Sequence, residues 1–190
     1  TGNTGQNGPT AANLSTSTDG ITWTGRPTGS GDDLNAAAYG NGRYVAVGNG
    51  SQVVHSTDGI TWTRNTVADP DVGLNDIVFG NGRFVAVGTF GRIYTSTNGL
   101  TFTLAATVDG GRPRLRGVAF GGGRFVAVGA NVSVSSADGL TWITDSTNLR
   151  LASTVTYANG VFVIGANIGT LYRSGTPVFN GPATTAQPQS

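Results

Sequence analysis

The sequence predicts an all-β fold made by repetition, and three observations lead to it. A segment of about 40 residues recurs along the chain, the period of a stacked-sheet array. Glycine occurs 31 times in 190 residues and interrupts every stretch that could form a helix. Asn-Gly pairs sit between short alternating apolar runs, the strongest short-range signal for a β-hairpin.

The repeat is plain on the page. Residues 34–63 read LNAAAYGNGRYVAVGNGSQVVHSTDGITWT, and residues 74–103 read LNDIVFGNGRFVAVGTFGRIYTSTNGLTFT. Residues 115–144 read LRGVAFGGGRFVAVGANVSVSSADGLTWIT. A degraded copy runs over 152–179, and a half copy, LSTSTDGITWT, covers 14–24. The aromatics that close the copies are Trp23, Trp62, Phe102, Trp142 and Phe179, spaced 39, 40, 40 and 37 residues apart.

Each copy divides into four strands, here lettered A to D. In the second full copy, strand A covers 74–79. Asn81-Gly82 then forms a type I′ turn, which needs positive φ at both positions. Strand B covers 83–87; both of its faces are largely apolar, so it is expected to be buried on both sides. A glycine-containing turn at 88–91 leads to strand C at 92–96, and strand D is expected at 100–104.

Four antiparallel strands in a repeat of this length make a β-propeller blade. One blade cannot bury both faces alone, so blades stack around an axis. Four full copies and a half copy predict about five four-stranded blades with the first incomplete. Its missing A and B strands have three possible sources: residues 1–13, the C-terminal tail, or another chain. The polar, Gly/Pro-rich ends predict a flexible segment at 1–13, one domain over 14–180 and a flexible tail at 181–190.

The C–D connection carries Ser17-Thr18-Asp19-Gly20-Ile21-Thr22-Trp23, repeated from Ser56 through Asp58 to Trp62, from Ser96 through Asn98 to Phe102, and from Ser136 through Asp138 to Trp142. This resembles the Asp-box (sialidase-type, BNR-like) repeat. The resemblance covers about residues 14–179. It implies that the Asp or Asn oxygen accepts backbone N–H bonds across the turn while the aromatic anchors between blades. The box is structural in such families, which include sialidases, other glycosidases, lectin-like proteins, photosystem assembly factors and phage or bacterial surface proteins, so it does not by itself assign a function.

Composition narrows the function classes. All 11 cations are Arg, all 10 acids are Asp, and the net charge is +1, too small to drive nucleic-acid or membrane binding. There is no cysteine, hence no disulfide or thiolate metal site, and no apolar run is long enough for a membrane-spanning helix. A sialidase-like site would need a Tyr nucleophile activated by Glu, and the chain has no Glu. An Asp33–Asp76 acid/nucleophile pair is conceivable, but ordinary loop acids are the plainer reading. The expectation is a protein that is not an enzyme and needs no cofactor or metal.

The remaining candidates divide between structure and binding. His55 reads as a strand residue, since a single His makes a poor metal site. Asp69, Asp71 and Asp76 lie close in sequence but lack a calcium-loop pattern. Arg43, Arg83 and Arg124 recur after the A–B turn, a place for stem packing and turn capping; an anion-binding ring is the alternative.

Strand order places the near-identical A–B and C–D turns on one rim and the varied B–C and D–A loops on the other, where specificity is built. The candidate ligand residues on the varied rim are Phe90, Asn49, Asn131 and Asn167 from B–C loops. Arg112, Arg114 and Arg116 join them from one D–A connection, with Arg150 nearby. The leading expectation is a non-catalytic binding or scaffold module outside a cell or on a virion, with a glycan or surface protein as partner. The others are a structural assembly subunit that self-associates through its incomplete first blade, and a degenerate glycosidase.

Overall fold

The computed structural model describes residues 12–29, 31–109, 112–146, 149, 151–166 and 171–173. The expected residues Asn167, Arg150 and Phe179 lie outside these, as do most of the two terminal segments.

The described chain is a β-propeller array of antiparallel sheets. It opens with a hairpin of β1 (Ala12–Thr16) and β2 (Thr24–Pro27). Three four-stranded sheets follow in simple meander order. They are β3 (Leu34–Gly40), β4 (Arg43–Gly48), β5 (Gln52–Ser56) and β6 (Thr63–Thr66); then β7 (Leu74–Gly80), β8 (Arg83–Gly88), β9 (Arg92–Ser96) and β10 (Thr103–Thr107); then β11 (Leu115–Gly121), β12 (Arg124–Gly129), β13 (Val132–Ser136) and β14 (Ile143–Ser146). The last described sheet contains β15 (Ala152–Ala158), β16 (Val161–Ala166) and β17 (Leu171–Arg173). No described helix is long and apolar enough to cross a membrane.

The A–B turns form as their sequence dictates. Asn41 and Asn81 have φ of 48° in both turns, and Gly42 and Gly82 have φ of 71°. The B strands of the second and third four-stranded sheets are buried on both faces: Phe84, Val85, Ala86 and Val87 are all fully buried. Strand D is displaced from its expected start. It begins at Thr103 and not at residue 100, because the Asn98 side chain takes the Leu100 and Thr101 N–H groups out of the ladder.

That capture is common to all four described C–D turns. Asp19 Oδ1 accepts the N–H groups of Ile21 and Thr22 at 2.8 and 2.7 Å, and Ser17 Oγ accepts that of Gly20 at 2.8 Å. Asp58 with Ser56, Asn98 with Ser96 and Asp138 with Ser136 repeat the same bonds. The hydrogen bonds favour the ionised side chain, so Asp138 is held down at about 2, and Asp19 and Asp58 lie well below the ordinary carboxylate value.

Three apolar cores lie between consecutive sheets. The first joins Val45, Val47 and Val53 to Leu74, Phe84 and Phe102. The second joins Val85, Val87 and Ile93 to Leu115 and Phe125, and the third joins Val126 and Val128 to Ala152, Phe162 and Ile164. In each core an aromatic on strand A lies over a strand-A glycine of the preceding sheet. A Cβ built on Gly40 would lie 2.1 Å from the Phe79 ring, on Gly80 2.1 Å from Phe120, and on Gly121 2.0 Å from Tyr157. Asparagine side chains cross the same boundaries: Asn41 Nδ2 donates to Thr97 O at 2.9 Å, and Asn65 Nδ2 donates to Leu100 O at 3.0 Å.

The anchoring expected of the box aromatics holds unevenly. Phe102 is 7% exposed and belongs to the first core, whereas Trp142 is half-buried against the second. Trp62 is half-buried beside Tyr44 of its own sheet. Trp23 is 62% exposed, because among the described residues no blade precedes the β1–β2 hairpin to cover it.

Candidate functional site

The first strands of the sheets, β3, β7, β11 and β15, pack against one another and line the axis. Their second residues are Asn35, Asn75, Arg116 and Ser153, one polar group from each sheet at the same register. Together with Arg114 these residues line a mouth of about 360 Å³. It opens on the rim of varied loops, where B–C and D–A loops bond to each other: Ser51 N–H donates to Val72 O and Asn131 N–H donates to Leu149 O, both at 2.8 Å.

Fixed bonds shape this mouth. Asn35 Nδ2 donates to Leu74 O at 2.8 Å and to Asn49 Oδ1 at 3.2 Å. Asn75 Nδ2 donates to Leu115 O at 2.7 Å, leaving its Oδ1 to accept Arg114 Nη2 at 2.6 Å and Nε at 3.2 Å. The Arg114 guanidinium is thus oriented by a neutral partner. Arg116 is exposed, and neither arginine pairs with a carboxylate among the described residues. Among the described residues no carboxylate or imidazole lines the mouth, and the groups that do offer hydrogen bonding and attraction of negative charge.

Phe90 and Arg112 form a second feature of the rim. Phe90 is 40% exposed and sits in a tight turn where it and Gly91 have left-handed φ of 60° and 68°. The Arg112 guanidinium lies 5.9 Å from the centre of its ring. Exposed cation–π pairs of this kind contribute about 0.5–1 kcal/mol. A fully extended run would put Arg112, Arg114 and Arg116 on one side, but Arg112 has φ 56°, so the chain turns there and Arg112 is directed to Phe90.

The structure therefore brings together Arg114, Arg116 and, through Asn35, Asn49. It places Phe90 with Arg112 and leaves Asn131 off the mouth, exposed at a turn with φ 64°. Sequence reasoning missed Asn35, Asn75 and Ser153. The available signal was a polar residue directly after Leu34, Leu74, Leu115 and Ala152 in every copy.

The other candidates take structural places. Asp76 is largely buried, and its carboxylate accepts Val118 N–H of the next sheet and its own Ile77 N–H, both at 2.8 Å. Burial raises its pKa against those bonds. These bonds tie the second four-stranded sheet to the third. Asp69 is paired with Arg92 at 3.1 Å, apart from the Asp76 bonds. Arg43 donates to His55 Nδ1, Arg83 to Thr95 Oγ1 and Arg124 to Ser135 Oγ, so each bonds strand C of its own sheet. Desolvation, and then the Arg43 charge, lower the His55 pKa.

No protein-family model matches the chain, and no curated protein is similar to it in sequence. By fold it belongs among β-propellers. It is similar to virginiamycin B lyase from Staphylococcus aureus, with a TM-score of 0.68 and 14% identity, covering 80% of this chain and 55% of that one. It is also similar to YCF48 bound to D1 peptide, with a TM-score of 0.64 and 20% identity, covering 87% of this chain and 58% of that one. The Neurospora crassa Pan2 WD40 domain aligns with a TM-score of 0.61 and 11% identity, over 89% of this chain and 57% of that one. The chain thus spans a little over half the length of these structures.

Proposed function

We propose that this chain is a non-enzymatic binding module, displayed on an extracellular or virion surface, that holds an acidic glycan at the axial mouth. One observation carries the reading: two arginines without carboxylate partners among the described residues, one of them oriented by Asn75, converge with Asn35 and Ser153 in one concave opening. A carboxylate or sulfate on a sugar would bridge Arg114 and Arg116, and sugar hydroxyls would bond Asn35, Ser153 and Asn49. Phe90, stiffened by Arg112, offers a ring face for an adjoining sugar. The serine- and aspartate-containing C–D turns support an Asp-box scaffold beneath this rim.

The test is a glycan array with neutral, sialylated, uronic and sulfated members, repeated with Arg114→Ala/Arg116→Ala. The expected result is binding restricted to acidic members and about 10–100-fold weaker in the double variant. Binding to neutral glycans alone, or binding unchanged in the variant, would refute the assignment. A structural assembly subunit is the second reading, favoured by the uncovered aromatic end of the array.

A further inference from the structure

The two ends of the array are built differently. At the end next to β1–β2, the first four-stranded sheet presents Leu34, Ala37, Tyr39 and Tyr44 where the later sheets have core. Tyr39 is 57% and Tyr44 41% exposed, while the residues at the Tyr44 position in the next sheets, Phe84 and Phe125, are fully buried. Ala37 is exposed where Ile77 and Val118 are each 5% exposed. Leu34 is half-buried where Leu74 and Leu115 are sealed.

Strand A of each later sheet packs chiefly on the A–B hairpin of the preceding sheet, and Val53 or Ile93 of that sheet's strand C completes the core. The β1–β2 hairpin supplies strands C and D of a blade, and among the described residues β1 pairs only with β2. Its second edge, where strand B bonds in every other sheet, carries no partner strand among the described residues. A groove of about 570 Å³ lined by Trp23, Tyr44 and Trp62 separates the hairpin from the first sheet.

The far end of the array does not fit this face. There Thr154, Thr156 and Ala158 are exposed, and Val163, opposite Thr156, is half-buried, so no large aromatic stands on this face among the described residues. Ala158 stands where Gly40, Gly80 and Gly121 stand, so its Cβ takes the place an incoming aromatic ring needs. Head-to-tail joining of two copies would set Tyr39 against that methyl group.

We propose that the aromatic end face and the second edge of β1 receive an A–B hairpin of this repeat type that the described residues do not supply. Its strand B bonds β1, and its glycine lies under the Tyr39 ring. The occupant is defined by chemistry already present in three interfaces: an aromatic-Gly-Asn-Gly-Arg-aromatic hairpin, or Gly-Gly-Gly-Arg as at β11–β12, with small or branched apolar residues facing the core.

The experiment titrates the full chain with a synthetic peptide of residues 74–88, which contains neither Trp nor Tyr, so fluorescence changes report Trp23, Trp62, Tyr39 and Tyr44. A saturable change is expected. Gly80→Leu in the peptide should weaken it about ten-fold or more by steric conflict with the ring. Tyr39→Ala in the protein should weaken it to a similar extent, about ten-fold, and this exposed position leaves folding intact. No saturable change, or equal binding of the Gly80→Leu peptide, would overturn the proposal. So would a two-copy mass in light scattering that Tyr39→Ala abolishes, since that assigns the face to a second copy.

Discussion

The glycine beneath each strand-A aromatic makes the sharpest stability prediction. Gly80 is buried, and a Cβ there would lie 2.1 Å from Phe120 Cγ and within 2.6 Å of both Cδ atoms. Its φ is not in the left-handed region, so alanine suits the backbone and steric conflict is the whole effect. Overpacking of this kind costs about 1–3 kcal/mol. At about 2–4 °C per kcal/mol for a chain of this size, a cost of about 2 kcal/mol lowers Tm by about 4–8 °C. Phe120→Ala alone removes a half-buried ring and costs about 2–4 kcal/mol. In the double variant the new methyl has room, so the two costs combine to less than their sum by about 1–2 kcal/mol. Gly31→Ala, with open space around the Cβ, is the control and should stay within about 0.5 kcal/mol of the parent. The assay is urea unfolding followed by circular dichroism. Additivity within about 0.5 kcal/mol, or no loss in Gly80→Ala, would refute the ring-over-glycine account.

Further outcomes can be checked on the same material. Phe102→Ala should cost about 3–5 kcal/mol and Trp23→Ala less than about 1 kcal/mol, with Trp62→Ala between them; equal losses in urea melts would contradict the graded burial. Because Asp138 is depressed from 3.8 to about 2, its turn's stabilisation is complete above pH about 4 and disappears as pH falls toward 2. Asp19 and Asp58 act in the same direction, and Asp58→Asn with Asp138→Asn should flatten the acid limb of a Tm-against-pH curve while keeping the fold, as Asn98 does naturally. Asp76 has the opposite sign: its raised pKa favours the protonated form in the fold, so its contribution weakens as pH rises from 3.8 through that value. Asp76→Ala leaves Val118 N–H without its acceptor and should cost about 1–3 kcal/mol by urea melt at neutral pH.

Local chemistry made the scaffold legible. Asn-Gly turns, two-faced apolar B strands and Ser-x-Asp-Gly turns each state their conformation within a few residues, and the repeat states how sheets follow one another. What escaped was whatever depends on two copies at once. Asn35, Asn75, Arg116 and Ser153 meet because four strands share a register around an axis, a relation no window of one repeat contains. The start of strand D escaped because Leu100 and Thr101 look like strand residues, yet their N–H groups bond a side chain two and three positions back. Trp23 reads the same as Trp62 in sequence; only the absence of a neighbour among the described residues separates them.

The glycine-and-ring contact also bears on how such a chain changes length. Each contact straddles a repeat boundary, with the donor ring in one unit and the receiving glycine in the unit before. Excision of residues 74–114 would join Gly73 to Leu115 and bring Phe120 onto Gly40, a pairing of the same chemistry as the one removed. Duplicating that unit would restore the match just as simply. Gain and loss of whole units in the interior are therefore neutral to the interface code, whereas extension past Ala158 first requires a mutation there.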